Sequence, residues 1–200
     1  MILFMGIENV KNGKLIYHLT KLSNLDSILK YGLLPRRAVI DNSIVFDDVA
    51  NKDIISKRSL LGLDIYTPFH FHPHSSFDIA VKNTYSNEKF MYLCLLRSDA
   101  EYNKFKILPR HPLNMEECNL MDYSDGFEAI DWDTMQCKGR EDDYAKKVKM
   151  AECLTELTIP MECFQSIYVK DEESKKLVEN KLKEHGITEK PPYVDIMPWV

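Results

Sequence analysis

His18 and Thr20 lie two residues apart in Tyr17-His18-Leu19-Thr20, so on a strand both point to one face. A plain core face would carry aliphatic side chains, whereas two polar groups together need partners. A ligand with hydroxyls or an amide would supply them. The segment then runs into a helix from Ser23 to Gly32, whose mouth offers Asn24, Ser27 and free backbone N–H groups. Side chains and backbone together could hold an anion or a nucleotide there. The plainer alternative, in which His18 bonds a backbone carbonyl and does nothing else, fits the sequence equally well. Arg58 ends a second predicted helix, where positive charge is ordinary stabilisation. Its guanidinium fork also suits a diphosphate in a way that lysine does not. Glu152 stands where a basic stretch turns into an apolar strand. A carboxylate there can face a cleft from a rigid element, or can simply lie in water as Glu156 on the same strand face would.

Phe69-His70-Phe71-His72-Pro73-His74 puts His70 and His72 on one strand face, a pairing that zinc could use. No Cys, Asp or Glu is near in sequence to complete the shell, and His111 is only a distant candidate. The rings are therefore read as lining a pocket or covering the core, with no metal. The chain lacks a Gly-rich phosphate loop, H-E-x-x-H and G-x-S-x-G, and so shows no sign of P-loop, Rossmann, zincin or α/β-hydrolase chemistry.

The elements that must position these residues follow from periodicity and punctuation. Leu15 to Thr20 is predicted as a strand. Ser23, with Asp26 three residues on, opens a helix with Leu25, Ile28 and Leu29 as its buried stripe. Gly32 ends it and Pro35 prevents its resumption. Residues 36–43 are predicted as a loop and about 45–58 as a helix. Strands are expected over 68–71, 90–96, 105–108, 152–159, 166–169 and 193–197. The stretch 90–96 is apolar on both sides and hence buried. Helices are expected from Ser98 and over 114–123, and Asp133 to Lys146 reads as an exposed loop. Asp171-Glu172-Glu173 places acids at the positive end of a helix whose stripe is Leu177, Val178 and Leu182, closed by His185-Gly186. The sum is a mixed α+β domain over residues 1–200, with no repeat or linker to divide it.

Bulk properties narrow the function classes. The net charge of -5 argues against a protein that coats nucleic acid nonspecifically. Arg36-Arg37, Lys57-Arg58 and the stretch from Lys138 to Lys149 can still grip a few phosphates, or can be solvated faces. The 5 cysteines form no C-x-x-C pair, which suggests free thiols and a cytoplasmic location. No apolar run approaches the ~20 residues of a spanning helix, so no membrane partner is expected.

The stretch from Tyr17-His18-Leu19-Thr20 through Asn24-Leu25 to Gly32-Leu33-Leu34 resembles the opening of the DarT family, ADP-ribosyltransferase toxins that modify bases of single-stranded DNA. That family opens with Tyr-His-Ile-Thr-His, then Asn-Leu and a helix ending in Gly-Leu-Leu. Ile55-Ser56-Lys57-Arg58 is similar to the segment ending in the family's catalytic arginine. Tyr66-Thr67-Pro68-Phe69-His70-Phe71 resembles its Val-Pro-Phe-Tyr-Phe strand, and Ile130-Asp131-Trp132 its Leu-Asp-Trp. Lys149-Met150-Ala151-Glu152-Cys153-Leu154 resembles the Gln-Ala-Glu-Phe-Leu block that holds the catalytic glutamate. The likeness runs from about residue 15 to about residue 169. The chain departs from the family's Phe-Asn-Pro-Arg-Ser-Pro at Phe71-His72-Pro73-His74-Ser75-Ser76, and from its Thr-Asp-Gly-His at Leu108-Pro109-Arg110-His111.

The resemblance implies an ADP-ribosyltransferase-like split β-sandwich core with helices packed around it. It implies NAD as substrate, ADP-ribose passing to a base (thymidine) of single-stranded DNA, and a toxin paired with a macrodomain antitoxin. Arg58 and Glu152 would be catalytic, and His18, Leu19, Thr20, Asn24, Arg58 and Phe71 would hold NAD, with Phe71 stacking on a ring. Lys138, Arg140, Lys146, Lys147 and Lys149, just ahead of Glu152, would touch the nucleic acid. The two departures keep open an RNA or protein acceptor; a non-catalytic nucleotide-binding module is the remaining alternative.

Overall fold

A computed structural model describes residues 7–49, 52–111, 119–140 and 142–200 of the chain. The first strand forms where expected, β1 (Leu15–Lys21), followed by a single 3-10 turn and α1 (Leu25–Tyr31). Gly32 ends α1 at φ +78°, a conformation that its missing side chain permits. The predicted cap differs: Ser23 donates to the Asp47 carboxylate instead of capping the helix. Residues 36–41, expected in a loop, form α2 (Arg36–Asp41). Pro35 stops α1 from resuming, yet its φ of -55° suits the residue before a new helix.

The helix expected from residue 45 begins later, as α3 (Lys52–Leu60). Residues 44–49 are extended or irregular because side chains of α1 and the preceding turn take their backbone groups. Then come β2 (Thr67–His70), α4 (Ser76–Thr84), β3 (Phe90–Leu96), α5 (Arg97–Tyr102) and β4 (Lys106–Leu108). Ser75 and Asp78 cap α4 reciprocally. The helix expected over 114–123 falls largely outside the described residues; its last part is β5 (Met121–Asp122), and α6 (Tyr123–Ala129) follows.

The basic stretch predicted as a loop contains two short helices, α7 (Trp132–Gln136) and α8 (Asp143–Lys149). Asp131 accepts the Thr134 N–H and Asp142 the Ala145 N–H, so each helix is capped by an aspartate just before it. β6 (Glu152–Thr155), β7 (Ser166–Val169), α9 (Glu172–Glu184) and β8 (Tyr193–Ile196) complete the fold. Val178 and Leu182 of the α9 stripe are buried, whereas Leu177 is exposed.

The strands form one sheet in the order β5-β4-β6-β2-β1-β3-β7-β8, antiparallel except for β7 and β8. Its centre is nearly split. β1 pairs with β3 along its whole length, and β2 pairs with β6 from Thr67 to His70. β1 and β2 meet only at Tyr17 and His70. Pro68 contributes no N–H to β2. Its carbonyl is met 2.8 Å away by the ring Nδ1 of His18, in place of a β1 backbone group. The wedge between β1 and β2 is where the predicted site residues gather. Phe69, Phe71, Leu93, Ile107, Trp132 and Ile167 belong to the main core behind it.

Candidate active site

Glu152 opens β6 between two strands, opposite His70 of β2 and Leu108 of β4. It is 3% exposed. Arg58, 94 residues earlier in the chain, reaches it from the last turn of α3. One guanidinium nitrogen, Nη1, donates to both carboxylate oxygens at 2.9 and 2.8 Å. Burial pushes the Glu152 carboxyl upward, but Arg58 first, then His111 and His70, outweigh it. The net direction is downward, so Glu152 is ionised at neutral pH.

The opposite wall comes from β1 and α1. His18 faces the Pro68 carbonyl through Nδ1, which therefore carries the proton. Burial holds its pKa down to about 4, so the ring is neutral at pH 7 and leaves Nε2 as an acceptor for a ligand donor. The plain role that the sequence allowed for His18 is thus real, and it coexists with a place in the cleft wall. Asn24 donates through Nδ2 to Thr20 Oγ1 and to the Asp47 carbonyl, both at 3.0 Å, and accepts the Asp47 N–H at 2.7 Å. Ser27 donates to the Val45 carbonyl, and Arg36 to the Asp48 carboxylate at 2.7 Å. These bonds fasten residues 45–48 as a strap along the α1 side of the cleft.

His18, Leu19, Thr20, Asn24, Arg58 and Glu152 all line one cleft of about 190 Å³. Apolar side chains such as Leu19, Ile28, Phe46 and Ile55 share the lining with these polar groups, the mix expected of a small-molecule pocket. Three polar atoms on cleft-lining residues have no partner among the described residues, Arg58 Nη2, Thr67 Oγ1 and His111 Nδ1. Buried donors and acceptors without partners are costly, and a polar ligand in the cleft would offer them partners.

Phe71 does not belong to this site. It is 2% exposed and packs edge-on against Trp132 and Phe127, with the Arg97 guanidinium over its ring. It lies just past the end of β2, where the chain has turned into the core, and it does not line the cleft. His70 and His111 take cleft positions instead, together with the strap residues Phe46 and Asp47. The family's Thr-Asp-Gly-His pattern pointed toward His111, as did its place as a distant partner for His70 and His72, and no local signal pointed to the strap. Lys138, Arg140 and Lys146 are exposed, and Lys147 and Lys149 half-buried, on α8 and the turn before it. Lys149 Nζ donates to the Arg140 carbonyl. His72 faces the carbonyls of Pro73 and Lys149 with its two ring nitrogens. Among the described residues no three His, Cys, Asp or Glu are grouped to hold a metal ion.

The sequence profile described as ssDNA thymidine ADP-ribosyltransferase, DarT, matches residues 17–199. The chain belongs to the DarT family. Solved DarT structures share its fold. DarT from Thermus sp. 2.9 in complex with ADP-ribosylated ssDNA superposes with a TM-score of 0.78 at 20% identity, over 94% of this chain and 95% of that one. The same Thermus protein in complex with NAD+ gives 0.75 at 19% identity, over 92% and 96%. Thermosipho africanus DarTG in complex with ADP-ribose gives 0.73 at 20% identity, over 94% of this chain and 50% of that longer one. No match was found among curated proteins by sequence. The ADP-ribosyltransferase-like fold expected of this DarT chain is the one observed. Among the described residues no helix is long and apolar enough to cross a membrane.

Proposed function

We propose that this DarT chain, as one domain over residues 1–200, transfers ADP-ribose from NAD to a thymidine base of single-stranded DNA. The observation that carries the reading is the Arg58–Glu152 pair facing His18 across one cleft of a DarT fold. In the reaction the bond between nicotinamide and ribose breaks, and its electron pair leaves with nicotinamide. Positive charge builds on the ribose, as in glycoside hydrolysis. Glu152 is ionised and buried, and so stabilises that charge electrostatically. The base nitrogen forms the new bond to the ribose and loses its proton, which Glu152 can accept.

Arg58 has a second task. While its Nη1 holds the carboxylate, Glu152 is a weak base. The free Nη2 is available to the NAD diphosphate or the acceptor base. A guanidinium drawn toward such an anion relaxes its hold on Glu152, whose basicity then rises when substrate is present. His18 Nε2 and the Thr20 hydroxyl face the ribose side, with Asn24 tying the strap over it. An acceptor base must be unpaired, because a duplex hides its edges. Lys138, Arg140, Lys146, Lys147 and Lys149 are the proposed contacts for the strand.

Such a transferase harms the cell that makes it. A role as the toxin of a pair, opposed by a macrodomain antitoxin, is the reading that membership of the DarT family and the likeness to a DarTG protein support. The test is incubation of the protein with labelled NAD and, separately, thymidine-containing single strands, the same sequences as duplex, RNA, and protein. Mass spectrometry of the single strand should show one added ADP-ribose on a thymidine. Label moving only to RNA or to protein would overturn the acceptor; nicotinamide never released in any arm would overturn the enzyme.

A further inference from the structure

Tyr144, the second residue of α8, is 39% exposed and carries a guanidinium from each of two chain segments. The Arg110 guanidinium carbon lies 5.9 Å from the ring centroid and that of Arg140 lies 5.7 Å away. The ring is not free to swing. Its hydroxyl donates to Asp131 Oδ2 at 3.0 Å. Arg140 is fixed too, donating to Asp142 Oδ2 at 2.7 Å and to Thr134 Oγ1 at 2.9 Å.

This cluster adjoins the cleft. Arg110 is the residue before His111, which lines the cleft. The His111 N–H donates to the Lys147 carbonyl at 2.9 Å. Tyr144 lies three residues before Lys147 on the same helix, about 4.5 Å along its axis. The helix then leads through Met150, another cleft residue, to Glu152. An exposed ring held rigid, flanked by guanidiniums and set on the helix that leads to Glu152, has the composition of a stacking site for a base.

We propose that Arg110, Tyr144 and Arg140 form a platform for the nucleotide adjoining the target base of the single strand, with ring and guanidinium planes stacking on that base. The platform rests on the reading of the chain as a transferase acting on single-stranded DNA. Charge alone does not explain the cluster, because Asp131 and Asp142 are built into it and offset part of the positive charge. A surface meant only to attract phosphates would not carry them. Stacking tolerates them, needs an unpaired strand, and accepts any base because every base has a π-face.

The experiment uses the full chain and thymidine-containing single strands in which each position flanking the target is made abasic in turn. With the wild type, KM for the oligonucleotide should rise about tenfold when one flanking base is removed, the scale of one base–aromatic stack. Tyr144→Ala should raise KM about tenfold on the intact strand and be indifferent to that abasic position. Tyr144→Phe keeps the ring and should stay near the wild type. If the wild type modifies the single strand but no flanking abasic position matters, the platform is wrong and the transferase reading stands. The platform is also wrong if Tyr144→Phe loses as much as Tyr144→Ala, because the hydroxyl and not the ring then acts. Label passing only to RNA or to protein overturns both.

Discussion

Replacing Glu152 with glutamine removes one charge and almost no volume. Two losses follow, and they can be measured apart. In the transition state the carboxylate faces the positive ribose. At about 4 Å and an effective dielectric constant of about 20, that pair is worth about 4 kcal/mol, or about 10³ in rate. Arg58 draws on the same carboxylate and reduces this, while the lost proton acceptor adds about 10² or more. The expected fall in transfer is therefore at least about 10³-fold, carried by kcat. The second loss is in stability. Breaking a buried ion pair by removing one partner costs about 3–5 kcal/mol. Arg58 keeps some contact with water at the cleft mouth, which places the cost near about 3 kcal/mol. For a chain of this size that lowers the thermal midpoint by about 6–12 °C. The assay pairs single-turnover transfer of labelled ADP-ribose with thermal unfolding of the same samples. Adding Arg58→Met to Glu152→Gln removes the orphaned guanidinium, and should recover most of the midpoint and none of the transfer. Transfer by Glu152→Gln within about tenfold of the wild type, at equal folded fraction, would refute the electrostatic account.

Acid should weaken the fold in a defined window. Burial holds His18 and His74 down to about 4 in the folded chain, against about 6.5 when unfolded. The unfolded chain binds more protons between those values, so stability falls as pH drops from about 6.5 toward about 4. Glu152, lowered on folding, adds its loss only below about 4.3. A thermal midpoint that stays level from pH 7 to pH 4.5 would contradict this. Gly126→Ala should destabilise by about 1–3 kcal/mol, since its new Cβ would lie 2.6 Å from the Ile107 Cβ where α6 crosses β4; an unchanged unfolding midpoint in denaturant would show that the two elements part easily. Asn24→Ala cuts both bonds to the Asp47 backbone, each worth about 1 kcal/mol. It should raise KM for NAD about tenfold with kcat little changed, and steady-state kinetics showing the reverse would mean that the strap acts in chemistry and not in binding.

What could be read in the chain divides by how local the cause is. β1, β3 and β7 declared themselves because alternation or a continuous apolar run is written in adjacent residues, and α9 because acids, stripe and glycine follow in order. α2 was hidden because a proline reads first as a breaker and only second as a helix opener. α7 and α8 were hidden because each is short and buries only a narrow stripe, Trp132 and Met135 in α7 and Ala145 and Val148 in α8, and their capping aspartates look like ordinary surface charge. The strap is the opposite failure. Its sequence reads as the start of a helix, but Asn24 and Ser27, some twenty residues away, take the backbone groups that a helix would need. Phe71 failed for a related reason. Strand alternation assigns a side chain to a face, but the chain turns immediately after His70, and Phe71 joins Trp132 in the core. Arg58 and Glu152 each stood out as candidates by type and context, but their meeting was implied only by the family resemblance, since nothing local links residues 94 apart.

The two departures from the family pattern acquire a common meaning in the structure. His72 sets a ring nitrogen 2.9 Å from the Lys149 carbonyl, and the backbone of His111 bonds the Lys147 carbonyl. Both contacts fall on the last turn of α8, where the Lys147 carbonyl also accepts the Met150 N–H at 3.3 Å. Segments that follow β2 and β4 therefore clamp the end of the helix that runs straight into Glu152. His74 packs on the scaffold as well, its ring tilted 38° against Trp199 with the centroids 3.8 Å apart. The His72 ring and the His111 backbone thus act as ties that fix where α8 presents Tyr144 and its lysines relative to the Glu152 carboxylate, while the His111 ring lines the cleft. Altered residues in a recognition region need not alter recognition by touching the substrate. Here they set the distance and angle between the surface that would hold the strand and the carboxylate that would act on it.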